Sequence, residues 1–381
     1  MRLKIRKSFD THLHLRQGAM LDQVIRFTLE HFWGAVVEPN TEPPITDVAR
    51  FLAYSDEIMN VARVAGHPGF RALVALYLTE ETTPEIIKLV NGVGCRVIKV
   101  YPKHGTTGSG WGISWKHYGS VLFFRCMEMA ERLGMVVQFH GEQLNGCCAL
   151  TTIAERVQHI SNPREDDISP VDRERRFIPM LDDLAWHLKG LKIVMEHVTT
   201  SEAVHFVAGA REGVAASITP HHLVLLRSDV VDRKVDPFAF CLPTAQLEAD
   251  VRNLLIAACC GESKTAHRFF LGTDSAPHYK DKKLNTGCAG IFNSPVALAA
   301  VADVFDAYLD GVKPVAQYFE NFVSVNGPRF YGLEPSDEMI EVVEDPWTVP
   351  ESYGSGSDLA SCDNSIVPFM AGKILKHAVR V

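Results

Sequence analysis

Eight short apolar segments, each followed by a stretch of helical pattern, constrain this chain more than any other feature. They cover residues 8–16, 34–40, 70–78, 96–101, 135–140, 191–197, 213–219 and 268–274. Helical patterns fall over 20–31, from the cap Thr46-Asp47 to about 65, from Thr83-Pro84-Glu85 onward, and over 115–133. Strands alternating with helices mean parallel βαβ repetition, which either a closed barrel or an open doubly wound sheet satisfies. No GxGxxG follows the first segment, which weakens a dinucleotide-binding sheet. The polar residues decide between the two. Asn40, Lys99, His140, His197 and Asp274 each sit at or just past the C-terminal end of a segment. A barrel gathers those ends at one mouth, where catalytic groups collect, whereas an open sheet strings them along an edge. The expected fold is therefore an α/β TIM (β/α)8 barrel. It is read as one domain over 1–381, with an elaborated segment at about 145–175 and a C-terminal tail at about 334–381.

In the first segment Phe9, Thr11, Leu13 and Leu15 alternate with Asp10, His12, His14 and Arg16. Side chains two apart on a strand share a face, so His12 and His14 can grip one cation. Taken singly, each polar strand end has an ordinary reading. His140 and His197 could be hydrogen-bonded core histidines, Lys99 could snorkel to water, and Asp274 could cap a helix. Together, His12, His14, Lys99, His140, His197 and Asp274 exceed what one tetrahedral zinc needs and fit two metals that share ligands. His221-His222 also falls near the mouth and is assigned no ligand role.

Composition narrows the class further. The net charge of −8 argues against broad binding to nucleic acid or anionic membrane, and no apolar run is long enough to span a bilayer. The basic start Met1-Arg2-Leu3-Lys4 has no apolar stretch behind it, so it does not read as a signal peptide. Nine cysteines without a CxxC fit free thiols in a reducing cytoplasm. A small-molecule substrate is the expected partner.

The chain resembles the amidohydrolase superfamily and, within it, the dihydroorotases of the short, bacterial-type class. The resemblance is carried by Asp10-Thr11-His12-Leu13-His14-Leu15-Arg16, Pro39-Asn40, Ile98-Lys99-Val100-Tyr101-Pro102, His140-Gly141-Glu142 and Glu196-His197-Val198-Thr199-Thr200. It continues through Ile218-Thr219-Pro220, Cys241-Leu242-Pro243, Gly272-Thr273-Asp274-Ser275-Ala276-Pro277-His278, Cys288-Ala289-Gly290 and Ser324-Val325-Asn326-Gly327-Pro328. It implies that His12, His14 and Asp274 hold a first metal and that His140 and His197 hold a second. Lys99 would bridge the two as a carbamate formed with carbon dioxide. Two zinc ions are implied, with other divalent metals able to replace them, and the family is usually homodimeric.

The chemistry implied is reversible opening and closing of a cyclic amide, dihydroorotate to N-carbamoyl-aspartate, a step of pyrimidine synthesis. Paired cations make hydroxide available at neutral pH, and Asp274 shuttles the proton to the leaving nitrogen. Arg16 would fork onto the ring carboxylate, with Asn40 and His278 adding donors. Backbone groups near Leu242 and Ala289 would read the ring amide edge. Thr106 and Thr107 would close over it on a loop loosened by Gly105, Gly108 and Gly110. Two departures from the family pattern stand out: the longer segment at 145–175, and a stretch between His278 and Ala289 that is one residue short. The rival reading is a related hydrolase of the hydantoinase, dihydropyrimidinase or allantoinase type, whose substrates lack the carboxylate that Arg16 would meet.

Overall fold

The polar strand ends meet because eight strands close on themselves. The computed structural model describes residues 2–144, 153–154, 157, 168–310, 315–354 and 363–381. After an N-terminal strand β1 (Arg2–Arg6), the parallel sheet runs β2 (Ser8–Leu13), β3 (Phe32–Val37), β4 (Arg71–Leu78), β5 (Val97–Val100), β6 (Val136–Phe139), β7 (Lys192–Met195), β8 (Val214–Ile218) and β9 (Phe269–Leu271), hydrogen-bonded in that order. At the mouth, Asp274 N donates to His12 O at 2.8 Å and His14 N donates to Ser275 O at 2.9 Å, which joins the last strand to the first. The expected barrel is what forms.

The floor of the barrel is apolar. Phe9, Val36, Ala75 and Val97 form one buried cluster and Val136, Val194, Ala215 and Phe270 another, with Tyr331 packed against both. Each of the eight strands supplies one of these residues. Strand alternation puts the residue two further on above each of them, facing inward. That next layer is mostly polar: Thr11, Glu38, Tyr77, Lys99, Gln138, Glu196, Ser217 and Gly272. A Cβ on Gly272 would stand 2.9 Å from both His12 Cβ and Ser217 Cβ, so the glycine leaves room for the first histidine.

The helices start where the sequence caps them. The side chains of Asp47, Thr83, Ser120 and Thr200 each accept a backbone N–H of the first turn. The helix expected over 115–133 is two helices, Trp115–Tyr118 and Val121–Arg132, because Ser120 opens a new N-terminus. Most of the expected elaboration at 145–175 lies outside the described residues.

The C-terminal tail carries two strands. It supplies β10 (Met339–Thr348) and β11 (Ile374–Arg380), which join β1 in a three-stranded antiparallel sheet in the order β1-β10-β11. Leu3 pairs with Val342 and Ile5 with Ile340. A register shift between Glu344 and Trp347 accommodates Pro346, which cannot donate to the ladder. Among the described residues no helix is long and apolar enough to cross a membrane.

Candidate active site

His12 lies in β2, and His14 and Arg16 follow just past its end. Lys99 lies in β5, and His140, His197 and Asp274 follow β6, β7 and β9. Arg16, His197 and Asp274 have φ of 61°, 41° and 46°. Left-handed backbone in residues with side chains is costly and persists only where its surroundings impose it, as at functional sites. At Arg16, Tyr54 OH grips the main-chain oxygen at 2.7 Å.

The imidazoles are set by what stands behind them. His12 Nδ1 donates to Glu196 Oε2 at 2.8 Å, His14 Nδ1 to Asn40 Oδ1 at 2.7 Å, and His140 Nε2 to Glu142 Oε2 at 2.8 Å. Each bond fixes a proton on the rear nitrogen and turns the other nitrogen inward. His12 Nε2 and His14 Nε2 then face Asp274 Oδ1 at 3.4 and 3.2 Å. His140 Nδ1 faces His197 Nε2 at 3.2 Å. Burial lowers the pKa of His14, and the neutral ring opposes its lone pair to a carboxylate. Two acceptors turned toward each other at that distance call for a cation between them. His12, His14 and Asp274 offer three buried ligand atoms within 4.8 Å of one another. The donor set therefore fits divalent metals.

Charge is balanced within the polar layer. Burial opposes the imidazolium of His12, but the carboxylates of Glu38 and Glu196 outweigh it and push its pKa up to about 10. Asp274 is held well below the carboxylate range: burial works against this, and the hydrogen bond from the charged His12 ring prevails. Burial and His140 hold His197 well below its usual value. Lys99, fully buried, puts Nζ 3.3 Å from Glu38 Oε2 and 3.4 Å from His12 Nδ1. Glu38 in turn accepts from Tyr101 OH at 2.8 Å.

The sequence reading gave no role to Glu38, Glu142, Glu196 or Tyr101. Period-two alternation was the available signal for two of them. Glu38 stands two beyond Val36, and Glu196 two beyond Val194, but which face of those strands turns inward is settled only by barrel closure.

The mouth forms a pocket lined by His12, His14, Arg16, Asn40, Tyr101, Thr106, Thr107, His140, His197, Leu242, Asp274, Ala276, Ala289 and Gly290. Arg16 Nε donates to Pro277 O at 3.1 Å, and Nη2 lies 3.3 Å from His278 Nε2. Burial and the Arg16 charge push His278 down to about 2, so it is neutral and donates Nε2–H to Ala289 O at 3.1 Å. The short stretch after His278 is the helix Lys280–Thr286, and it still brings His278 onto Ala289. Thr107 Oγ1 donates to Ala289 O at 3.1 Å and Thr107 O accepts from Asn40 Nδ2 at 3.1 Å, so this loop lies across the pocket. Of its three glycines only Gly108 takes a left-handed φ, +76°.

His221, His222 and Cys241 form a second buried group of metal-ligating types. The lone pairs of the two imidazoles are already engaged. His221 Nδ1 accepts from Asn293 Nδ2 at 2.9 Å. His222 Nδ1 meets Thr219 Oγ1 at 2.9 Å, and its Nε2–H donates to Pro243 O at 3.0 Å. The group braces the loop that carries Leu242.

No family model matches the chain. Among solved structures, a dihydroorotase from Saccharomyces cerevisiae in complex with 5-fluoroorotic acid is 27% identical, with a TM-score of 0.83 over 99% of this chain and 98% of that one. A dihydroorotase from Campylobacter jejuni is 28% identical, with a TM-score of 0.82 over 100% of this chain and 98% of that one. An L-hydantoinase (dihydropyrimidinase) from Arthrobacter aurescens shares the fold at 14% identity, with a TM-score of 0.72 over 98% of this chain and 82% of that one.

Proposed function

We infer, from a chain that belongs with the dihydroorotases of the amidohydrolase superfamily, that it catalyses the reversible hydrolysis of (S)-dihydroorotate to N-carbamoyl-L-aspartate. One observation carries the choice of substrate. Arg16 is partly buried, lines the pocket, and has no carboxylate ion-pair partner among the described residues. A half-buried guanidinium at the pocket wall without an anion is a ready carboxylate site, so the geometry favours a ligand that brings one. The dihydroorotate ring carries that carboxylate. Hydantoin, dihydrouracil and allantoin do not, which disfavours the related cyclic-amide hydrolases.

His12, His14, His140, His197 and Asp274 would hold two divalent cations, with Lys99 as a carbamate between them, and these would supply Lewis acidity and hydroxide at neutral pH. The protein's own groups do the rest. Glu196, Asn40 and Glu142 keep the imidazole lone pairs turned inward. Asp274, ionised at neutral pH, can take a proton on Oδ1 and pass it to the leaving ring nitrogen. Arg16 anchors the carboxylate, and the loop bearing Thr106 and Thr107 covers the pocket against bulk water. The proposal includes zinc as the metal, a place in pyrimidine synthesis and a cytoplasmic homodimer, all resting on the resemblance.

The test is a panel of dihydroorotate, hydantoin, dihydrouracil and allantoin with zinc-loaded protein, run beside Arg16→Ala. Dihydroorotate should have the highest kcat/KM. The variant should raise its KM by about a hundredfold, the scale of a lost charge-assisted fork, with metal content unchanged. An unchanged KM refutes the carboxylate clamp.

A further inference from the structure

Two loops line the pocket: the one carrying Leu242, and the one carrying Ala289 and Gly290. Both are tied to one side chain. Lys283, on the helix Lys280–Thr286, is 4% exposed. Its Nζ donates to Gly290 O at 2.7 Å, Cys288 O at 2.9 Å and Phe240 O at 3.2 Å. An ammonium has three donors, and all three go to main-chain oxygens. The loops are also joined directly, since Gly290 N donates to Phe240 O at 3.0 Å.

We propose that Lys283 is a positioning residue that sets the spacing and polarity of the two main-chain edges that meet the substrate ring. The proposal rests on the reading of the site as one that binds a cyclic amide. Two physical points support it. First, Lys283 has no ion pair among the described residues, and burial depresses its pKa to about 8. A buried cation held only by neutral carbonyls adds little stability compared with an apolar residue of the same shape. Its distinctive contribution is geometric: it fixes residues 240, 288 and 290 to one point. Second, Cys288 C=O and Ala289 N–H belong to one peptide unit. A cation on the carbonyl polarises that unit and strengthens the N–H as a donor. A ring carbonyl or ring nitrogen at Ala289 would feel both effects.

Contacts to the non-reacting edge of the ring hold substrate and transition state alike, so their loss raises KM more than it lowers kcat. The experiment uses the zinc-loaded, full-length enzyme with Lys283→Met, of similar length and uncharged. The readouts are kcat and KM for dihydroorotate, metal per chain, and peptide-resolved hydrogen exchange. The expected result is KM raised about tenfold or more, the scale of a lost charge-assisted bond. With it, kcat should stay within about threefold, metal content should not change, and faster exchange should be confined to peptides covering 240–243 and 288–291. An unchanged KM overturns the proposal. So does a parallel fall in kcat and metal content, which would mark a general structural role. If Lys283→Met does not fold, Lys283→Gln, which keeps two donors, is read the same way; failure of both to fold also overturns it. Should the wild-type enzyme leave dihydroorotate untouched, the substrate reading fails. The exchange pattern, together with KM for whichever cyclic amide the panel identifies, then still judges Lys283.

Discussion

Glu196→Gln tests whether the outer carboxylates make the site a metal site. Glu196 Oε2 accepts from His12 Nδ1 at 2.8 Å and also from Ser217 Oγ. Ser217 Oγ accepts from His197 N at 2.7 Å. One carboxylate thus orients a histidine on β2 and, through a serine, the backbone of another after β7. Its second oxygen, Oε1, has no hydrogen-bond partner among the described residues. The amide nitrogen of glutamine can take that place, and the substitution chiefly removes charge. A charge-assisted hydrogen bond is worth about 1.5–3 kcal/mol and a neutral one about 0.5–1.5 kcal/mol, so about 1–1.5 kcal/mol is lost at His12. That alone weakens metal binding about fivefold to tenfold. Looser ring orientation brings the expectation to about 10–100-fold, the usual scale for a histidine's outer partner. Competition with a chromophoric zinc chelator measures the affinity, and elemental analysis gives the stoichiometry. Thermal unfolding of the metal-free protein checks that the fold is intact. Zinc affinity within twofold of wild type, in a folded variant, would refute the argument that Glu196 prepares His12 as a ligand.

Two further outcomes follow from the same geometry. Asp274→Asn should keep most of its metal but lose turnover by about 10²–10⁴, the scale of a lost general acid–base, measured in both reaction directions; near-normal turnover removes Asp274 from the proton-transfer role. Metal affinity should rise with pH: with metal absent His12 stays protonated up to about 10, so a cation must displace that proton. Between neutrality and that value the zinc dissociation constant should fall about tenfold per pH unit, with a proton released on binding. A flat profile in a competition titration, with no proton release detected by calorimetry in buffers of different ionisation enthalpy, refutes it.

How far the sequence carried this reading depended on where each residue's partners lie along the chain. The barrel was legible because each strand and its cap are local: a run of β-branched residues, then Asp47, Thr83 or Thr200 opening the next helix. The mouth was legible because polar residues recur at the same end of six of the eight strands. The sheet of β1, β10 and β11 was not. Its pairing joins Leu3 to Val342, and no local pattern announces a partner so distant. In β10 the sequence Asp345-Pro346 also reads as a break, and only the register shift at that point lets the strand continue. Trp115 to Leu133 read as one helix because periodicity does not register the break at Gly119 and Ser120.

The carboxylates of the polar layer show the same limit at the site itself. Glu38 ends an apolar run, and on the strand pattern alone it is one more polar tip. Its meaning lies in contacts with Lys99 and Tyr101, and those depend on barrel closure. The layer as a whole has a consistent electrostatic logic. Glu38 and Glu196 face Lys99 and His12 from below, Asp274 faces His12 and His14 from above, and each charge has a counter-charge within 3.5 Å. Arg16, at the rim, is the exception: a half-buried cation that lines the pocket and lacks a carboxylate ion-pair partner among the described residues. A site that neutralises its other charges internally and leaves one guanidinium open is arranged to take an anion at that point. On the proposed function, cyclic substrates that lack one would leave Arg16 unpaired, so the same residue would both select the acid and reject its neutral relatives.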